Sequence, residues 1–179
     1  MSVEQVRLFY ALWPEAALQQ ALYAAGNKLH ERCGGRRTRC ENIHLTLAFL
    51  GAVEPARLPL VTAVADQIVL PRFEMVFNRL GWWRQNQVAW AATDETPREL
   101  ITLVKQLQQG LAKEGFKFEE RRFVPHITLV RKANCPPGLI DSPDIVWDAK
   151  EFVLVRSTLL ENGPHYVIEK RWPLQTMEA

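Results

Sequence analysis

The 179-residue chain has little of several things that would give its role away. There are three cysteines, Cys33, Cys40 and Cys135, odd in number and never at CxxC spacing. That argues against a disulfide framework and a zinc knuckle, and they are expected to be reduced thiols. Histidine is scarce, with four in all. Net charge is only +2, too little for a nucleic-acid coat. No apolar run approaches the roughly 18 residues of a membrane span. Met1-Ser2-Val3-Glu4-Gln5 has neither the basic start nor the apolar stretch of a secretory signal, so a cytoplasmic protein without membrane contact is expected. No glycine-rich GxGxxG or GxxxxGK[ST] loop stands between a strand and a helix, which leaves a dinucleotide or Walker-type site unsupported.

What is present is ordinary in bulk and unusual in one pattern. Hydrophobic residues at 47% and charged residues at 23% are globular values, and one domain of this length can bury a sizeable core. Strand-like alternation is read at Arg7 to Trp13, Asn42 to Leu50, Phe73 to Trp83, Gln87 to Ala92, Phe123 to Val130, Phe152 to Leu160 and Tyr166 to Trp172. Helical spacing is read from Pro14 to about His30, from Leu58 to Ile68 and from Pro97 to Leu111. Asn162-Gly163 marks a final hairpin turn, and Asn134 to Asp144 reads as a loop. The order predicts an α+β fold.

Inside that order, Ile43-His44-Leu45-Thr46-Leu47 returns 82 residues later as Pro125-His126-Ile127-Thr128-Leu129. On a strand, His44 and Thr46 share one face, while Ile43, Leu45, Leu47 and Phe49 share the other. The second copy offers His126 and Thr128 in the same way. Two rigid strands thus each present an imidazole and a hydroxyl. An imidazole has an ordinary pKa near 6.5, so one ring of a pair can be neutral and the other protonated, as base and acid for displacement at phosphorus. Threonine hydroxyls can donate to phosphate oxygens. A metal site would need further ligands, and neither motif contains a carboxylate. His30 and His165 are expected to be structural or surface residues. Two basic clusters, Arg36-Arg37-Thr38-Arg39 and Arg121-Arg122, lie just ahead of the two motifs.

The motifs His44-Leu45-Thr46-Leu47 and His126-Ile127-Thr128-Leu129 resemble those of the two-histidine (2H) phosphoesterase superfamily. With Arg7-Leu8-Phe9-Tyr10-Ala11-Leu12, Asn42 through Gly51, Pro125 through Arg131 and Lys170-Arg171-Trp172, the chain is similar to bacterial RNA 2′,3′-cyclic phosphodiesterases, also called 2′-5′ RNA ligases. The resemblance implies one bilobal domain over residues 1–179, with motifs at 44–47 and 126–129. Two duplicated antiparallel sheets would face a central cleft, with helices outside. It implies His44 as proton donor to the leaving 3′ oxygen and His126 as the acceptor that activates water. Thr46, Thr128 and Arg131 would be phosphate ligands. Phe9 and Phe123 are candidates to stack on a base, and so are Trp82 and Trp83, whose side chains point to opposite faces. No metal or cofactor is implied. The expected partners of a monomeric protein are RNA ends or nucleotides bearing a 2′,3′-cyclic phosphate. Arg131 has the wrong parity to share a face with His126, so a bulge or strand end must re-aim it. A nucleotide- or RNA-binding module without turnover, and an esterase for another small cyclic phosphate, are the competing readings.

Overall fold

The structure is a computed structural model and describes residues 5–117, 122–138, 142–161 and 163–176. Its elements run β1 (Val6–Leu12), α1 (Ala16–Cys33), β2 (Arg36–Arg37), β3 (Leu45–Val53), α2 (Leu58–Asp66), β4 (Phe73–Phe77), β5 (Arg79–Trp83), β6 (Val88–Ala92), α3 (Arg98–Lys113), β7 (Ile127–Arg131), β8 (Ile145–Ala149), β9 (Glu151–Leu160) and β10 (Gly163–Pro173). The α+β reading holds. A first antiparallel lobe has the order β10-β9-β1-β3, and a second has β7-β6-β5 with β2 also on β7. One residue pair, Leu45↔Ile127, joins the lobes. β4 and β8 form a separate two-stranded sheet.

The helices cross over. α1 leaves the first lobe and packs against β7 and β6 of the second, while α3, which follows β6, packs against β3 of the first. Its buried Leu100, Leu103, Val104, Leu107 and Leu111 recur at helical spacing and form its inner face. The main core lies between these helices and the sheet, with Leu8, Tyr10, Leu12, Leu45 and Ile127 at its centre. A second cluster, Phe9, Ala11, Val153 and Val155, lies on the opposite face of the first lobe. Both faces of β1 are therefore covered. Among the described residues no helix is long and apolar enough to cross a membrane.

Four expectations change. Phe73 to Trp83 is two strands, because Asn78 leaves the ladder: its side chain accepts from the Asp94 N–H at 3.0 Å, and its carbonyl from the Ser142 hydroxyl at 2.7 Å. β4 pairs with β8, which sequence reading missed, and only β5 and β6 make the hairpin. Phe49 does not share the packed face of Leu45 and Leu47 but is 51% exposed. Finally, Cys33 and Cys135 are not free thiols but a disulfide spanning 102 residues, leaving Cys40 as a free cysteine. Arg121 and Asn162 lie outside the described residues.

Candidate active site

The two motifs converge where β3 and β7 meet. Because Leu45 is opposite Ile127 in an antiparallel register, His44 comes to face Thr128 and Thr46 to face His126. All four line one cavity of about 240 Å³, with Arg131 and Tyr166 also in its wall.

Each histidine sits one residue before its strand, where the chain is still free of the ladder. The His44 Nδ1–H donates to the Asn42 carbonyl at 2.6 Å, and the His126 Nδ1–H donates to the Val124 carbonyl at 2.8 Å. A carbonyl can only accept, so both bonds put the proton on Nδ1 and leave Nε2 for chemistry. The Thr46 hydroxyl lies 3.1 Å from His44 Nε2 and can donate to it when the ring is neutral. The turn ahead of His44 is tied down from two sides. Gln19 of α1 reaches the carbonyls of Glu41 and Ile43, and the Asn42 amide donates to the Pro164 carbonyl at 3.1 Å.

Strand alternation breaks in both copies at the same place. Tyr10 pairs with Ala48 and Ala11 with Thr46, so Leu47 is an extra residue in β3. Ala89 pairs with Val130 and Trp90 with Thr128, so Leu129 is an extra residue in β7. Leu47 and Ala48 are both buried, as are Leu129 and Val130. Each bulge reverses parity for the residues that follow it, until in β3 a second extra residue, Leu50, restores it. In β7 the reversal turns Arg131 into the cavity; in β3 it turns Phe49 outward. The re-aiming that Arg131 required thus has a visible cause.

The basic segment ahead of the first motif forms part of the wall. Arg36, Arg37, Thr38 and Arg39 all line the cavity. β2 pairs Arg36 with Arg131 and Arg37 with Val130, and the Thr38 hydroxyl donates to the Thr128 carbonyl at 2.8 Å. Arg37 is held by Asn27 at 2.5 Å and by the face of Tyr23.

Burial pushes the His44 imidazole down to about 4, with Arg131 and His126 adding to the shift and its bond to Asn42 opposing it. His126 is lowered in the same way, by burial first and Arg131 next, against its bond to Val124. Both rings are therefore disposed to be neutral. Burial raises the Tyr166 phenol, against the pull of Arg131 and Arg7.

The aromatic expectations fare differently. Phe9 is buried and does not line the cavity; its ring packs against the His44 ring at 4.9 Å. Phe123 is half-buried against the main core and is not part of the lining either. Trp82 donates to the Ala133 carbonyl, while Trp83 stands edge-on to His126 at 4.5 Å. Sequence reading missed Tyr166 and Trp13, whose ring is stacked on His44. Parity with Phe9 and Ala11 along β1 was the one available signal for Trp13. Among the described residues, no group of three or more His, Cys, Asp or Glu could hold a metal ion.

The family model described as LigT-like phosphoesterase matches the chain twice, at residues 12–90 and 91–166. A curated RNA 2′,3′-cyclic phosphodiesterase of Escherichia coli is 32% identical, with 96% of this chain and 98% of that protein covered. One from Thermus thermophilus is 29% identical over 95% of this chain and 91% of that protein. The crystal structure of E. coli LigT complexed with 3′-AMP superposes with a TM-score of 0.88 at 32% identity, covering 97% of this chain and all of that one. With two family matches that together take in both histidine motifs, and relatives aligned over nearly their whole length, the chain belongs to the LigT-like phosphoesterases of the two-histidine superfamily.

Proposed function

We propose that this protein hydrolyses the terminal 2′,3′-cyclic phosphate of RNA to a 2′-phosphate, with His44 and His126 as its acid and base. The observation that carries this reading is the paired orientation: each Nδ1 is committed to a carbonyl two residues back, so two Nε2 edges serve one cavity. The names of the relatives support the substrate.

In the reaction, His126 Nε2 accepts a proton from water as its oxygen attacks phosphorus. The P–O3′ bond breaks, and His44 Nε2–H delivers a proton to the departing 3′ oxygen. Thr46 and Thr128 donate to the non-bridging oxygens, and Arg131 stabilises the charge that gathers on them. The entering phosphate is anionic and favours the charged form of each ring, which offsets the downward pull of burial and supplies the protonated His44. A 5′-hydroxyl in place of water would attack phosphorus in the same way, with the P–O3′ bond breaking as before, and give a 2′-5′ linkage. No ATP is needed, because the cyclic ester already holds the energy. In dilute RNA hydrolysis prevails, since water is in large excess. No cofactor takes part.

The test is turnover of an oligonucleotide ending in a 2′,3′-cyclic phosphate, in the presence of chelator. Each proton transfer contributes about 10² to 10⁴ in rate, so His44→Ala and His126→Ala are each expected to lose at least about 100-fold in kcat. Turnover that survives both substitutions refutes the assignment. Binding of a 2′-phosphorylated nucleotide without any product would instead mark a binding module.

A further inference from the structure

His44 is enclosed by rings in a way that His126 is not. Trp13, the residue after β1, lies flat against it, with centroids 5.2 Å and planes 3° apart. Phe9 packs obliquely at 4.9 Å, and Tyr166 stands edge-on at 5.4 Å. Tyr166 also stands edge-on to Phe9 and Trp13, and all three rings belong to the small cluster on the cleft side of the first lobe. Among the described residues His126 has one such neighbour, Trp83, at 73°. Trp13 is not part of the cavity lining, so its indole meets the histidine and not the cavity.

We infer that Trp13 is a positioning residue for His44: its flat face fixes the plane of the imidazole so that Nδ1–H stays on the Asn42 carbonyl and Nε2 stays aimed at the cavity. The inference rests on His44 exchanging a proton with substrate, as proposed above. The torsion that turns a histidine ring is broad, and hydrogen bonds at the ring edge resist a flip better than they resist a tilt. A parallel indole resists the tilt. Misplacing a reacting atom by 1 Å can cost about 100-fold in rate, so such a wall matters to turnover without touching the substrate.

Removal of the wall also changes the surroundings of the ring. Arg131 on β7 and His126 face His44 across the cavity, Tyr166 stands beside it on β10, and Arg36, Arg37 and Arg39 line the remaining wall. Burial is the largest influence on its titration, ahead of the Asn42 bond, Arg131 and His126. Water admitted in place of the indole favours the imidazolium, so His44 should titrate higher. Loss of the indole face, which favours a cation, acts the other way and is the smaller effect at a buried ring.

The experiment compares the wild-type chain with Trp13→Ala and Trp13→Phe. Steady-state rates are measured on a 2′,3′-cyclic mononucleotide, and the histidine ring protons are titrated by NMR, with His44 assigned from His44→Ala. Trp13→Ala is expected to lose about 10- to 100-fold in kcat with KM changed far less, and to raise the His44 titration toward its ordinary value. Trp13→Phe, which restores a flat face, should recover most of both. If Trp13→Ala does not fold, Trp13→Leu keeps apolar bulk without a plane and should show the same loss in kcat. Wild-type kcat together with an unmoved His44 titration overturns the inference. So does a KM effect alone, which would make Trp13 a platform for the base. A wild-type chain that fails to turn over the cyclic nucleotide overturns the functional reading, whereas the NMR comparison still reads the effect of Trp13.

Discussion

At the scale of single residues, two identical side chains are made unlike by their surroundings. Among the described residues His44 sits with three rings and is lowered to about 4, while His126 has one ring and is lowered from a less enclosed seat. Acid–base catalysis by the pair needs one ring charged and one neutral. For the free enzyme, reported by kcat/KM, both transitions therefore fall below the ordinary 6.5, and the optimum of the bell should lie on the acid side of that value. Bound phosphate raises both rings, so the bell for kcat should move to higher pH. A kcat/KM optimum well above pH 7 would contradict the burial seen here. The two limbs belong to the pair and do not by themselves assign donor and acceptor. Arg131 acts on the phosphate in this scheme, so Arg131→Gln is expected to lose about 10- to 100-fold in kcat/KM, at about 1.4 kcal/mol per tenfold. Arg131→Lys should recover only part, because a point charge replaces a planar fork. Equal rates for wild type and Arg131→Gln would remove this residue from the site.

At the scale of elements, the site depends on two bulges and one glycine turn. Without the extra residue Leu129, strand parity would send Arg131 to the packed face; without Leu47, it would bury Phe49. The histidine pair, its threonines and the duplication were legible because period-two alternation and a repeated pattern are both local in sequence. A bulge or strand end ahead of Arg131 could be required from parity but not placed, and the bulge in β3 gave no local sign, since a bulge is defined by what the partner strand does. The split of Phe73 to Trp83 was hidden for a like reason: Asn78 is bonded to Asp94 and Ser142, both remote in sequence. The Arg36–Arg39 cluster could be flagged by charge, but its place on β7 depends on Gly35. That residue has φ +87°, and a Cβ there would lie 2.5 Å from the Arg131 carbonyl oxygen. Gly35→Ala should therefore push β2 off β7 and carry the arginines away from the cavity. The expected result is a loss of about 1 to 3 kcal/mol in stability by urea unfolding, with a rise in KM for an oligonucleotide. A variant as stable and as active as wild type would show that the strand contact is dispensable.

At the scale of the whole molecule, the lobes are interlocked and not merely joined. α1 starts in one lobe and covers the sheet of the other, α3 does the reverse, and a single strand pair bridges the sheets between them. Each lobe takes strands from both halves of the chain, and α1 and α3 cross between them, so unfolding should be one cooperative transition. The disulfide reinforces this exchange. Cys33 ends α1, Cys135 follows β7, and beside the bond the Asn134 N–H donates to the Cys33 carbonyl at 2.9 Å. The bond therefore fastens the helix from the first lobe to the strand of the second, at the root of the basic segment that lines the cavity. Closing a loop of about 100 residues stabilises by about 4.7 kcal/mol in the chain-entropy model, with measured values for native bonds of about 2 to 5. Cys33→Ser and Cys135→Ser should each lose that much in urea unfolding at fixed pH. Reductant should lower the wild type to the level of the variants and leave the variants where they are. Thiol titration of the unfolded, unreduced wild type should find one group, Cys40; three would mean that the cysteines are reduced, as their spacing in sequence first suggested, and that the basic wall is held by β2 and the Asn134 bond alone.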